Sequence, residues 1–453
     1  MTTSSGGPPL TAARLIAYAL PTLALQSMMV PLLLYLPPAY ASVTVGMALS
    51  TVAAMFLVGR IFELVSDPLI GALSDRTRSR FGRRRLWMAI GTPIAMLAGW
   101  FLVAPPAGVT GLYLGGWLIL FYLGWTMVYI PHQSWGGEIT NDYEERTRIA
   151  GYRETGTFVG YLLASLAPLV YWKLVMGVEA PSFEQIVQVV GIFFLIALPI
   201  GVLCCFLLVP PSAVESDHKP PSWRELYSIL VRNRPFLRLG SSYLFDRLAM
   251  GTYFAAQPFF VGMVLDLQKD ILTVAITNTV VAAALAPLWV GIAKRLGKHR
   301  TYVLANAITA ASYLLLFFVP VGALGLVMVA QVLMGFGNGG TMITPPAMTA
   351  DTVDHDELQS GARQMGGHMA FLAIVYKGGI MLGAPLTLGL IAVFGFEGGT
   401  GVLDDPAAMG IRICASLLPA VMLLLPMIVM WRFPIDAARH AEIRAALDQR
   451  RAA

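Results

Sequence analysis

The amino-acid sequence predicts an all-α membrane protein with twelve transmembrane helices in two pseudo-symmetric six-helix bundles, both termini cytoplasmic. Three observations predict it. Of 453 residues, 57% are hydrophobic and 13% charged, about half the charged share usual in soluble domains, and the mean hydropathy is +0.68. The apolar residues gather into runs of about 20, the length that crosses a bilayer as a helix. Lysine and arginine concentrate in every second connection between those runs. Helices satisfy every backbone group within lipid, and the alternating short segments of an outer-membrane barrel are absent. The polar Met1–Thr11 leads directly into a long apolar segment, so no cleavable signal peptide is expected.

Taken in order, the apolar runs between polar or Pro/Gly breaks place spans at 12–36, 44–70, 86–104, 111–134, 152–172 and 186–209. The second half repeats the pattern at 239–263, 272–293, 300–320, 323–346, 364–394 and 408–432. The second span is charged near its end and the eleventh contains Lys377, but the rest of each is apolar. The longest polar interruption, 210–238, is read as a cytoplasmic linker, proline-bounded and then amphipathic. It separates bundles at 1–209 and 239–432. The tail, 433–453, is cytoplasmic; Asp436–Arg450 is either a charged helix on the cytoplasmic surface or a frayed solvated terminus.

Of 31 lysines and arginines, 25 fall at the N-terminus, after spans 2, 4, 6, 8 and 10, or in the tail. That bias sets an N-in, C-in topology in a cytoplasmic (inner) or plasma membrane. The halves correspond weakly, as parallel repeats do: basic connections follow spans 2 and 8, acidic ones follow spans 4 and 10. Nucleic-acid binding is not expected of arginines this close to spans. Cys204, Cys205 and Cys414 lie in apolar runs and read as inert helix packing. No P-loop, HExxH, GxSxG or CxxC pattern occurs, so an ATP-driven pump or intramembrane hydrolase has no support and no enzymatic activity is expected.

The stretch Gly59–Arg85 carries the most chemistry. Arg60, Glu63 and Asp67 are spaced i, i+3, i+7 and share one helix face. Intramembrane acids are functional by default: two carboxylates there hold a cation through hard oxygens or share a proton. The bland alternative is an Arg60–Glu63 ion pair at a helix end with Asp67 merely interfacial. Beyond them, Gly71, Asp75 and Arg76 open a run of six arginines, read as a cytoplasmic gate and topology anchor that also touches anionic lipid. Asp75 is expected to accept from a neighbouring helix N-terminus. Lys377 lies mid-span and needs a carboxylate partner, with Glu63 or Asp67 the natural candidates and Asp246 their rival; snorkelling to a surface is the alternative. Asp246 and Arg247, being adjacent, are expected to face different directions.

In span 4, Trp125, Tyr129, Gln133 and Trp135 suit a cavity that stacks and hydrogen-bonds a sugar, although interfacial aromatics are common. Glu138, Asp142, Arg146 and Arg153 read as a cytoplasmic charge network, with Arg153 also considered for substrate. His132 reads as a satisfied helix-end histidine, with proton relay the rarer alternative. Gly335, Gly337, Gly339 and Gly340 before Pro345–Pro346 suggest close helix packing and then a flexible break.

These residues resemble the glycoside–pentoside–hexuronide:cation symporter (melibiose permease-like) family of the major facilitator superfamily. The resemblance rests on RIFELVSDPLIGALSDRTRSRFGRRR, the IP…EIT…D…ER…R run at 130–153, ADTVD at 350–354 and YKGG at 376–379. It implies the major facilitator fold, alternating access, and uptake driven by Na⁺, H⁺ or Li⁺. It makes Glu63 and Asp67 the cation-binding acids (metal ligands if the ion is Na⁺), Arg60 and Lys377 their charge partners, and Arg153 a neighbour of the sugar. The galactoside site is not reproduced: Gln26 or Ser27 and Tyr129 stand where the family has aspartates, Gln133 and Met342 where it has tryptophans, and Trp125 where it has a tyrosine. Gln26, Trp125, Tyr129, Gln133, Arg153 and Met342 are therefore the expected substrate contacts. Gly71, Asp75, Arg76, Glu138, Asp142, Arg146, Asp351 and Asp354 are the expected gate.

The function so implied is cation-coupled symport of a sugar, glycoside or related small organic solute. A lysolipid or other amphipath is the alternative cargo, and a non-transporting membrane sensor or scaffold the remote one. No cofactor is expected beyond a coupling ion, Na⁺ or H⁺. The expected partners are a small-molecule substrate and membrane lipid, with the chain functional as a monomer.

Overall fold

The computed structural model describes residues 10–140, 142–211, 233–361, 364–396, 398 and 403–452, and no strand occurs among them. The helices follow in order as α1 (Ala12–Tyr40), α2 (Leu49–Arg76), α3 (Arg83–Val103), α4 (Gly111–Glu138), α5 (Tyr143–Pro168) and α6 (Phe183–Leu208). Then come α7 (Arg234–Phe259), α8 (Ile271–Leu296), α9 (Lys298–Phe317), α10 (Leu324–Ser360), α11 (Met365–Val393), the twice-broken α12 (Asp405–Trp431) and α13 (Ala437–Ala452). Among the described residues, ten helices are long and apolar enough to cross a membrane: α1–α6, α8 and α10–α12. The sequence expectation of twelve spans stands against those ten. α7, with Arg234, Arg238, Asp246 and Arg247, and α9, with Lys298, His299 and Arg300 leading it, fall outside them because charge and hydroxyl residues dilute their apolar surface.

The chain divides into two compact units, Met1–Asp217 with Phe396–Val402, and His218–Gly395 with Leu403–Ala453. Within the first, α3 and α2 pack on α4, and α5 and α6 pack on α1. Within the second, α9 and α8 pack on α10, and α11 and α12 pack on α7. Each pairing in the second unit is the first unit's pairing shifted by six helices.

Small residues set the spacing within each unit. A Cβ at Gly91 of α3 would lie 2.6 Å from Met127 Cβ of α4, and one at Gly340 of α10 would lie 2.6 Å from Ala305 Cβ of α9. Gly335 and Gly337 meet α8 and α9 as closely, so helices here approach to backbone contact as membrane interfaces favour. On α2 the other face is the informative one. Leu57, Val58, Ile61, Leu64, Val65 and Leu69 are exposed, while Gly59, Arg60, Glu63, Ser66 and Ser74 are buried. Apolar side chains outward and polar ones inward is the arrangement lipid selects.

Several boundaries differ from the sequence expectation. The connections after spans 4 and 10 are largely helical, since α5 starts at Tyr143 and α10 runs on through Pro345–Pro346 to Ser360. The expected break at the prolines is absent there. Thr344 and Thr349 donate to the Gly340 and Pro345 carbonyls around the pair, and membrane helices tolerate proline where neighbours enclose it. In α1, Pro31 and Pro37–Pro38 withdraw backbone donors, and the turn widens to π geometry over Pro31–Tyr35. The linker ends at Asn233, which caps α7; its expected amphipathic stretch lies outside the described residues. Cys204, Cys205 and Cys414 are free thiols.

The tail is a helix rather than a frayed terminus, and it docks on its own unit. Ile443 and Leu447 of α13 are 1% and 3% exposed, in a core with Phe236, Tyr302, Met348 and Phe433.

Candidate coupling-ion and substrate site

α2 carries its polar stripe against α4. Gly59 makes this approach possible: a Cβ there would lie 2.8 Å from the Tyr122 ring. The same ring carries the Arg60 guanidinium, 4.5 Å from its centroid, a cation–π contact strengthened by burial. Arg60 Nη1 donates to Glu63 Oε2 at 2.8 Å, with both residues enclosed. One turn on, half-buried Asp67 accepts from the Thr126 hydroxyl of α4 at 2.7 Å. Ser66, between the acids, donates to the Glu63 carbonyl at 3.3 Å.

Formal charge on this face is one positive and two negative. A buried charge costs several kcal/mol when it is uncompensated, so this face favours positive charge or a proton beside it. Carboxylate and hydroxyl oxygens are the ligands a hard ion takes. The bland alternative is half met: the Arg60–Glu63 pair exists, but Asp67 is engaged from a second helix. Thr126 and Tyr122 escaped the sequence reading. Their i, i+4 spacing on α4 was the available signal.

The remaining residues of the first unit lie along α1, α4 and α5. Gln26 is buried, and its Oε1 has no hydrogen-bond partner among the described residues. Trp125 is buried between Phe121 and Tyr129, with ring centroids 5.8 and 6.3 Å away; Tyr129 and Gln133 are half-buried. Trp135 is enclosed and donates from Nε1 to the Pro210 carbonyl, so it anchors the end of α6. Arg153 pairs with its neighbour Glu154 at 2.8 Å. His132 stacks on Tyr18 at 4.4 Å, and its Nε2 lies 2.8 Å from the Tyr18 carbonyl. A carbonyl only accepts, so Nε2 holds the proton and Nδ1 accepts from Thr22 at 3.4 Å. That is a satisfied histidine joining α4 to α1.

Each unit also has a charge network at its helix ends. Arg84 of α3 donates to Glu138 of α4 at 2.6 Å, to Asp75 of α2 at 2.5 Å and to Ser74 at 2.8 Å; Arg83 adds a contact to Glu138 at 3.0 Å. Asp75 thus meets a guanidinium on the first turn of α3 rather than its backbone. Arg76 is exposed, and Gly71 makes only ordinary contact with Ile130. Asp142 caps α5 by accepting from the Glu145 amide at 2.8 Å, and Arg146 Nε donates to the Thr140 carbonyl at 2.7 Å.

In the second unit, Asp351 accepts from Lys298 of α9 at 2.6 Å, and Asp354 meets His440 and Arg444 of α13 at 3.1 and 3.5 Å. Both acids are buried on α10 instead of in a loop, and Lys298 and Arg444 neutralise them there. Met342 is exposed on α10 and Lys377 half-buried on α11. Asp246 and Arg247 do not diverge as expected. The long arginine arm curls back, placing Nη2 at 2.9 and 3.0 Å from both carboxylate oxygens, and Tyr302 donates to the same acid at 3.0 Å.

A family model described as MFS/sugar transport protein matches residues 17–437. The chain is 26% identical to a glucuronide carrier protein homolog of Escherichia coli (strain K12), over 91% of this chain and 90% of that one. It is 22% identical to the sodium-dependent lysophosphatidylcholine symporter 1-A of Danio rerio, over 86% and 79%. Among solved structures, a bacterial homolog of the human lysosomal transporter Spinster superposes with a TM-score of 0.66 at 13% identity, covering 93% of this chain and 97% of that one. That likeness is one of fold.

Proposed function

The chain belongs to the MFS/sugar transport protein family, and we propose that it is a cation-coupled symporter that imports a sugar, glycoside or related small organic solute by alternating access. Relatives named as a glucuronide carrier homolog and as symporters support the solute class. One observation carries the coupling: Arg60, Glu63 and Asp67 share the inward face of an apolar helix, and a hydroxyl from α4 reaches the second acid. In this reading Glu63, Asp67 and the Thr126 hydroxyl bind Na⁺ or H⁺. Arg60 balances the acids when the ion leaves, and Lys377 serves as their charge partner. Gln26, Trp125, Tyr129, Gln133, Arg153 and Met342 contact the solute. The networks around Arg84 and Asp351 act as the inner gate. We place α7 and α9 in the membrane as well, giving twelve spans with both termini cytoplasmic, the bundles bounded at 1–209 and 239–432, in an inner or plasma membrane.

The test is uptake of a radiolabelled glucoside and glucuronide into vesicles under an imposed Na⁺ or proton gradient. Gradient-stimulated uptake, lost in Glu63→Ala and Asp67→Ala, is expected; unchanged uptake in both variants overturns the coupling assignment.

A lysolipid is the second reading. The similarity to a sodium-dependent lysophosphatidylcholine symporter favours it, as does apolar Met342, exposed on α10. A thermal-shift comparison separates the two, since stabilisation by sugars alone rejects the lipid.

A further inference from the structure

Arg247 of α7 is 3% exposed, and all its oxygen contacts fall on one nitrogen. Nη2 donates to Asp246 Oδ1 at 2.9 Å, to Asp246 Oδ2 at 3.0 Å and to Thr341 Oγ1 of α10 at 2.6 Å. Nη1 meets the Met250 sulfur at 3.4 Å, and Nε, though enclosed, has no hydrogen-bond partner among the described residues. The guanidinium lies 5.0 Å from the Tyr243 ring centroid and 5.6 Å from that of Tyr376 on α11. Its stem is pressed onto α11, where Gly379 makes room: a Cβ there would lie 2.7 Å from Arg247 Cβ.

An arginine kept only to neutralise a buried acid uses its fork, two parallel N–H···O bonds from two nitrogens. This one does not. Asp246 straddles a single nitrogen and takes a further bond from Tyr302, so the acid is well served while Nε and Nη1 have no oxygen acceptor among the described residues. Buried donors in native folds are almost always satisfied, and more so on a charged group in a low-dielectric interior.

We propose that Nε and Nη1 of Arg247 receive a carboxylate of the transported solute, so that the second unit holds an acid-recognition subsite. Tyr243 and Tyr376, their ring centroids 6.1 Å apart, pack against one side of the guanidinium, and Asp246, with Tyr302, fixes its remaining nitrogen. Tyr376 is half-buried and so forms the outer side of the cluster. Asp246 and Arg247 together are neutral. A monoanion adds one charge to the cluster and a dianionic phosphate two, which favours a carboxylate, as on a uronic acid or its glycoside. This assignment rests on the reading of the chain as a solute symporter and narrows the solute to an acidic one.

Thermal unfolding of the purified full-length chain tests it, with methyl β-D-glucuronide, methyl β-D-glucoside and lysophosphatidylcholine as probes. We expect the glucuronide, and not the glucoside, to raise the midpoint of the wild type, and Arg247→Gln to lose that shift. Arg247→Lys keeps the charge but lacks the fork, and should bind the glucuronide at least ten-fold more weakly; this variant decides if the glutamine form does not fold. A glucuronide response unchanged in either folded variant overturns the subsite. Stabilisation by the glucoside alone overturns it while leaving sugar transport standing. Stabilisation by the lysolipid alone overturns both.

Discussion

At the scale of single residues, the arrangement turns on few contacts. Thr126 is a threonine in an apolar helix, yet its hydroxyl is the group from α4 that reaches Asp67. A hydrogen bond to a charged group contributes about 1.5–3 kcal/mol, and about 1.4 kcal/mol is ten-fold in an equilibrium constant. Thr126→Val should therefore raise the half-saturating concentration of the coupling ion about ten-fold or more while the protein stays folded. Ion titration of uptake measures this, and an unchanged half-saturation removes Thr126 from the ion site. The acids themselves were visible in the sequence because charge in hydrocarbon stands out and i, i+3, i+7 spacing gives one face. Thr126 was not, since a lone hydroxyl in a span usually bonds its own helix. Nor was Arg84 distinguishable among six arginines, because only the meeting of α2, α3 and α4 buries one of them between Glu138 and Asp75.

At the scale of elements, helix positions followed from apolar runs, but helix ends did not. α10 continues as a helix through Asp351 and Asp354 because Lys298 and Arg444 neutralise those acids and His440 contacts Asp354. The cations come from α9 and from a tail about ninety residues further on, a coincidence that no local window of sequence reveals. The tail was ambiguous for the same reason. An amphipathic charged helix lies on lipid, frays or docks, depending on what surface is offered. Here Ile443 and Leu447 find a core built from α7, α9 and α10. Replacing a buried isoleucine with alanine costs about 2–5 kcal/mol, and a charge costs more. Ile443→Asp should lower the unfolding midpoint of the chain measurably, whereas Glu442→Gln, on the exposed side, should not. Differential scanning fluorimetry checks both, and equal midpoints would mean that α13 does not stabilise its unit.

At the scale of the whole molecule, the two units repeat one internal pattern of helix pairing, offset by six helices. The sequence showed that repeat only through alternating basic and acidic connections, since residues filling equivalent positions differ widely. Orientation has a separate basis, the excess of lysine and arginine on alternate connections. In a background with Cys204, Cys205 and Cys414 replaced, a membrane-impermeant maleimide added to right-side-out vesicles should label Ala107→Cys, between α3 and α4, and spare Ser79→Cys, between α2 and α3. The reverse pattern would invert the topology.

Coupling is the central claim, and one comparison addresses it: counterflow against gradient-driven accumulation of the same solute in proteoliposomes, for the wild type and Asp67→Asn. Counterflow needs only solute exchange, whereas accumulation needs the ion. We predict that the wild type does both, and that Asp67→Asn exchanges solute but does not accumulate it under a Na⁺ or proton gradient. Accumulation by Asp67→Asn equal to the wild type would contradict the assignment of the α2 acids as the coupling site.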